Sequence, residues 1–278
     1  MRFTLPLFVV LSFSLLLCHG QEASKSDSRE EVDVGGQKIK LPPPAGFERI
    51  DGLNPDADRL VESMLGASNR YLARFDPLKA NPADTGRSFN AQVLRSLETR
   101  EIGDRTFAEM KQQTMAEIDK ARETISQEIE KQLGNTQKKL QDASGTDAAL
   151  SVSDVAVLGY FDDSPNSLGF TMAMNVAAKE GGNDAKLKAV VATMIVPTNG
   201  RLIYLYANAD LKSEADRQWA EKAVMAWRKS VVAANPRVEG PPASTSIFDG
   251  VGNSAVIGAI VGAVGGLLVM LFKKMKKS

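Results

Sequence analysis

From residue 168 to 177 large apolar side chains alternate with smaller or polar ones: Phe170, Met172, Met174 and Val176 against Thr171, Ala173 and Asn175. That two-residue period marks a half-buried strand. An apolar run at Val155–Phe161 precedes it across the turn-forming stretch Asp162-Asp163-Ser164-Pro165-Asn166-Ser167. Leu187–Val196 and Arg201–Ala207 flank Pro197-Thr198-Asn199-Gly200, which reads as a second hairpin. Leu202–Ala207 is apolar on both sides, so it is expected as a central strand covered twice. Four consecutive strands with short turns predict an antiparallel meander. Upstream, Lys38–Ile50 reads as an edge strand broken by prolines. Arg70–Phe75 and Phe89–Leu97 read as short strands around the loop Asp76–Ser88.

Elsewhere the period lengthens to that of a helix. Thr106 with Glu109 three residues on is a capping box, and Phe107, Met110, Ile118, Ala121, Ile125 and Ile129 form one stripe that extends toward Leu133 or Leu140. This predicts an amphipathic helix laid on a sheet. Ser213 with Asp216 caps a later helix, on which Trp219, Ala223, Trp227 and Val231 share a face; a tryptophan pair at that spacing belongs to a core before a binding platform. Asn54-Pro55-Asp56-Ala57-Asp58 has the alternating oxygens of a calcium loop, but it lacks the sixth-position glycine, and Leu65 stands where the closing glutamate belongs. Asn54 capping a helix with Pro55 in its first turn fits better.

Both ends of the chain are apolar. Leu5–Leu17 follows Arg2 and precedes small residues around Gly20, the pattern of an export signal cleaved after Gly20. Lipid attachment at Cys18 is the alternative, set against the bulk of Leu17. Ser254–Phe272 has 19 residues without a charge. As a helix it would reach ~28 Å, close to the hydrocarbon thickness, so a transmembrane helix is expected. Lys273, Lys274, Lys276 and Lys277 follow it and would lie in the cytoplasm, against anionic headgroups. Gly258, Gly262 and Gly266 recur every four residues, a bare groove for transmembrane packing against a second copy or another protein's span.

Composition narrows the chemistry. The chain has one cysteine, Cys18, and one histidine, His19. If the leader is removed, cysteine nucleophiles, His-based triads and zinc sites with Cys or His ligands all go with it. Residues 21–272 hold 29 basic and 34 acidic residues, a net charge of about −5, and show no clustered basic face, so nucleic acid is not an expected partner. Asp162 with Asp163, or Glu98 with Glu101, could supply a general acid and base, although paired acids in a Pro/Asn/Ser turn ordinarily just form the turn. Met110, Met115, Met172, Met174, Met194 and Met225 suggest soft-metal binding less than core packing. No cofactor is expected.

The reading that results is an α+β fold, an antiparallel meander flanked by helices, plus one C-terminal transmembrane helix. The expected order is signal peptide 1–20, flexible leader 21–37, exported domain 38–234, tether 235–253, span 254–272 and cytoplasmic tail 273–278. An opening strand with Leu41-Pro42 and Gly46-Phe47, paired strands, a long helix, the meander and a final helix bearing Trp227 resemble the PsbP/DcrB-like α/β sandwich family. Asn199-Gly200-Arg201-Leu202-Ile203-Tyr204 and Ser213-Glu214-Ala215-Asp216 carry most of the likeness, which covers about residues 38–234. The resemblance implies an exported, mostly non-enzymatic protein that assists larger assemblies, and it assigns no site residue. The expected function is a single-pass, extracytoplasmic interaction or accessory module in the cell envelope. A carboxylate- or Ser/Lys-dependent hydrolase and a soft-metal or small-ligand binding protein are the alternatives.

Overall fold

The alternation at residues 168–177 belongs to a longer strand, and in the computed structural model its neighbours on both sides are longer too. The structure describes residues 30–53, 58, 62, 68–78, 86–121, 149–180, 183–236, 262, 263 and 267. Within them lie β1 (Glu31–Val34), β2 (Gln37–Lys40), β3 (Phe47–Arg49), β4 (Asn69–Pro77), β5 (Arg87–Leu94), α1 (Asp104–Ala121), β6 (Ala149–Asp162), β7 (Leu168–Glu180), β8 (Asn183–Thr198), β9 (Arg201–Asp210) and α2 (Glu214–Ala234). β3 to β9 form one seven-stranded antiparallel sheet in the order β3-β4-β5-β9-β8-β7-β6; β1 and β2 pair separately. β6 to β9 are the meander, and β9 is also hydrogen-bonded to β5. That position buries it on both faces from Arg201 to Ala209.

Each face of the sheet is covered. On one side α2 brings Ala220, Val224, Trp227 and Val231 onto Phe75, Phe89, Val190, Ile203 and Leu205. On the other, α1 brings Phe107, Met110 and Ile118 onto Phe170, Met172, Met174 and Val191. Trp227 lies edge-on to Phe75 and Phe89, at centroid distances of 5.3 and 5.4 Å, and its Nε1–H donates to Pro42 O at 2.8 Å. Trp219 sits at the rim of this cluster, under the Arg87 guanidinium at 4.3 Å.

The β1–β2 hairpin is fastened from the far end of the chain. Arg201 donates to Val34 O at 3.0 Å and to Gly35 O at 2.9 Å. Gly35 has φ +55°, and a Cβ on it would run into the backbone of Glu98, so only glycine allows this approach. Asn235 closes the same corner: Lys40 N–H donates to its Oδ1 at 2.8 Å, and its Nδ2 donates to Lys40 O at 2.7 Å.

Several expectations are corrected. Among the elements described from end to end, the fold is a mostly antiparallel β architecture with two helices rather than an α+β domain on a transmembrane helix. Among the described residues no helix is long and apolar enough to cross a membrane. Gly262, Ala263 and Leu267, taken from the expected span, are helical and buried within the domain, the last two in the cluster with Tyr204 and Tyr206. The physical reason is that an apolar run satisfies a protein core as well as it satisfies lipid. The single-pass anchor therefore falls. The segment expected as a flexible leader contains β1, and Lys38–Ile50 is two strands, because Pro42 to Pro44 interrupt the ladder. α1 starts two residues before Thr106, with Phe107 N–H donating to Gly103 O at 2.8 Å. Asn235 is buried rather than the start of a tether. The export signal, Asn54–Ala57, Ile125 to Leu140, Gly258, Gly266, Lys273, Lys274, Lys276 and Lys277 lie outside the described residues.

Candidate functional site

Strand β5 reads Arg87-Ser88-Phe89-Asn90-Ala91-Gln92-Val93-Leu94. Its period of two sends Phe89, Ala91 and Val93 into the aromatic core under α2 and Ser88, Asn90 and Gln92 to the opposite face. Register then assembles a polar row across four strands. Arg74 of β4 pairs with Asn90, Asn90 with Tyr206 of β9, and Tyr206 with Thr193 of β8. A second row runs Tyr71, Gln92, Tyr204, and a third pairs Ser88 with Asn208. Beyond Thr193 the next partner is Phe170, and the face becomes apolar under α1.

The polar half-face is buried. Asn90, Gln92, Thr193, Tyr204, Tyr206 and Asn208 are at most 1% exposed. Part of it is internally bonded: Asn69 Nδ2 donates to Gln92 Oε1 at 2.9 Å, and Gln92 Nε2 donates to Asn90 Oδ1 at 2.8 Å. Asn208 Nδ2 donates to Ser88 Oγ at 3.2 Å. The rest is not. Asn90 Nδ2, Thr193 Oγ1, Asn208 Oδ1, Arg74 Nε and Nη1, and the hydroxyls of Tyr71, Tyr204 and Tyr206 are buried without a hydrogen-bond partner among the described residues. Arg74 meets Asp58 only at 3.9 Å. Burial pushes the three tyrosine hydroxyls well above their ordinary pKa, so each remains an O–H donor.

Gly262 lies directly on this field. Gln92 Nε2 donates to Gly262 O at 2.9 Å. A Cβ on Gly262 would overlap Gln92 Oε1 and the Tyr206 hydroxyl, so the glycine expected to pack against another span instead permits contact with this chain's own sheet. An unpartnered buried polar atom costs about 1–3 kcal/mol, and native domains carry only a few per hundred residues. Their concentration on one half-face calls for a specific cause.

The sequence-predicted acids lie elsewhere. Asp162 accepts from the hydroxyls of Ser164 and Ser167. Asp163 pairs with Lys111 Nζ at 2.6 Å, and Glu98 pairs with Arg70 at 2.6 Å. Glu101 packs beside Gly200. Met172 and Met174 face α1 while Met194 faces α2, so the sheet separates them. Among the described residues no group of three or more acids, histidines or cysteines is placed to hold a metal ion. Ser88, Asn90 and Gln92 alternating with Phe89, Ala91 and Val93 were a visible signal, but a strand with one wet face has the same pattern. Amides, hydroxyls and a guanidinium can orient and hold a ligand. No family model matches the chain, and no curated protein matches it.

Proposed function

We propose that the protein is a non-catalytic binding and accessory module, acting outside the cytoplasm, whose recognition surface is the polar half of the sheet. The observation that carries this reading is the row Arg74–Asn90–Tyr206–Thr193, in which every member is buried and has a polar atom left unpaired. Such a row is poorly served by Ala263 and Leu267 and suits a ligand rich in hydrogen-bonding groups. The export pattern of residues 1–20 supports the location. The order of elements read from the sequence resembles the PsbP/DcrB-like family, whose members act chiefly by binding. A hydrolase reading draws less support, because Asp162, Asp163 and Glu98 are each engaged in hydrogen bonds or ion pairs at the surface.

The test is ligand-observed NMR on a pooled extract of hydrophilic metabolites, run with the parent protein and with Tyr206→Phe. Signals attenuated by the parent and restored with the variant support the reading. An extract from which the parent attenuates nothing, or from which both proteins attenuate the same signals equally, overturns it.

A further inference from the structure

The unpaired atoms of the polar half-face are not distributed evenly. At the β4–β5 end stand the donors Arg74 Nε and Nη1 and Asn90 Nδ2, with the amphoteric hydroxyl of Tyr71. At the β9–β8 end stand the amphoteric hydroxyls of Tyr204, Tyr206 and Thr193 and the acceptor Asn208 Oδ1. Four strands spaced ~4.8 Å apart separate the Arg74 and Thr193 positions by ~14 Å. A guanidinium and an amide N–H favour an anionic oxygen, and hydroxyls beside a carbonyl favour a chain of hydroxyl groups. Among the described residues outside the sheet, the backbone carbonyl of Gly262 meets the field, on Gln92 Nε2.

We infer that this half-face is a binding site for a polyhydroxylated carboxylate of disaccharide size, a sugar acid, and that Gly262, Ala263 and Leu267 occupy the site as an internal competitor. The carboxylate lies at Arg74 and Asn90; the hydroxyls lie along Tyr206, Tyr204, Thr193 and Asn208. The inference rests on the binding-module reading and adds the ligand class and the competition. Because Gly262 tolerates no Cβ over Gln92 and Tyr206, a side chain there frees the site without altering it. Leu267, fully buried, offers a second route to the same end.

The experiment is calorimetric titration with lactobionate and with lactitol, a pair that differs in carboxylate against alcohol. It uses the parent protein, Gly262→Leu, Leu267→Asp and Arg74→Gln, each confirmed folded by its near-ultraviolet circular dichroism. Lactobionate should bind the parent more tightly than lactitol does. Gly262→Leu and Leu267→Asp should each bind lactobionate at least tenfold more tightly than the parent, and Arg74→Gln should lose the preference for the acid. Equal affinity for both probes in the parent would overturn the ligand class while leaving the binding-module reading standing. Unchanged lactobionate affinity in both Gly262→Leu and Leu267→Asp would overturn the competition. If no protein binds either probe, this inference fails as a whole, while the metabolite extract still judges the module.

Discussion

The two sides of strand β5 show two ways to fill a buried face. Toward α2, Phe89 meets Phe47 at 4.6 Å, Trp219 at 5.7 Å and Trp227 at 5.4 Å, all edge-on. Toward Gly262, Ser88, Asn90 and Gln92 lie among tyrosines and amides with several atoms unsatisfied. Apolar burial gains roughly 25 cal/mol for each Å² taken from water, so the aromatic side stabilises whatever else the chain does. Burying amides and hydroxyls returns little beyond what water gave them. The lesson is a division within one strand: cohesion on one side, and on the other a polar face that we propose serves recognition.

That division can be broken at its strong side first. Trp227→Ala removes a fully buried ring with three fixed neighbours and should cost about 3–5 kcal/mol in urea unfolding. A cost below about 1 kcal/mol would show that the aromatic side does not hold the fold. Next comes the polar side's cover. Gly262→Ala should cost about 1–3 kcal/mol by overpacking against Gln92 and Tyr206, measured by the same unfolding, and no change would show that the cover does not seat there.

A third measurement sharpens how α2 is held on the aromatic side. Burial alone would raise the Asp216 pKa, but the Lys212 and Ser213 N–H groups at 3.0 and 2.9 Å, the Ser213 hydroxyl and Arg87 outweigh it and hold the carboxyl below its usual range. A folded pKa below the unfolded one means that this stabilisation is present above the unfolded value of 3.8 and is lost as pH falls through the lower, folded value. Asp216→Ala should cost about 1 kcal/mol near neutrality and nothing once the parent's carboxyl is protonated; an equal cost at both pH values would refute the assignment. The smallest effect belongs to Tyr206→Phe, which deletes an unpaired hydroxyl and should leave stability unchanged or raise it by up to about 1 kcal/mol in a thermal melt. A loss of that size would mean that the hydroxyl is engaged.

How much of this the sequence disclosed depended on which neighbours each residue has. Phe170, Met172, Met174 and Val176 announce their strand because one face meets α1 and the period is local. Trp227 and Val231 declare their core side for the same reason. The polar field was illegible, because Asn90 joins Tyr206 and Thr193 in one row only through the β5–β9 pairing, between strands more than a hundred residues apart in the chain. Ser254–Phe272 was misleading, because hydropathy does not distinguish lipid from a protein interior, and the close fit of Gly262 over Gln92 is a tertiary fact.

The reciprocal pair between Lys40 and Asn235 has a topological consequence. It places two backbone positions 195 residues apart side by side, so a short peptide can join them while the chain is opened at an exposed turn such as the one between β6 and β7. Circular permutants made in this way retain every pairing of the seven-stranded sheet, while the β1–β2 hairpin, which ends at Lys40, goes with the excised residues. Such a permutant lacks the Gly262 region, which can then be supplied in trans as a separate peptide, so that its contact with Gln92 and Tyr206 becomes titratable.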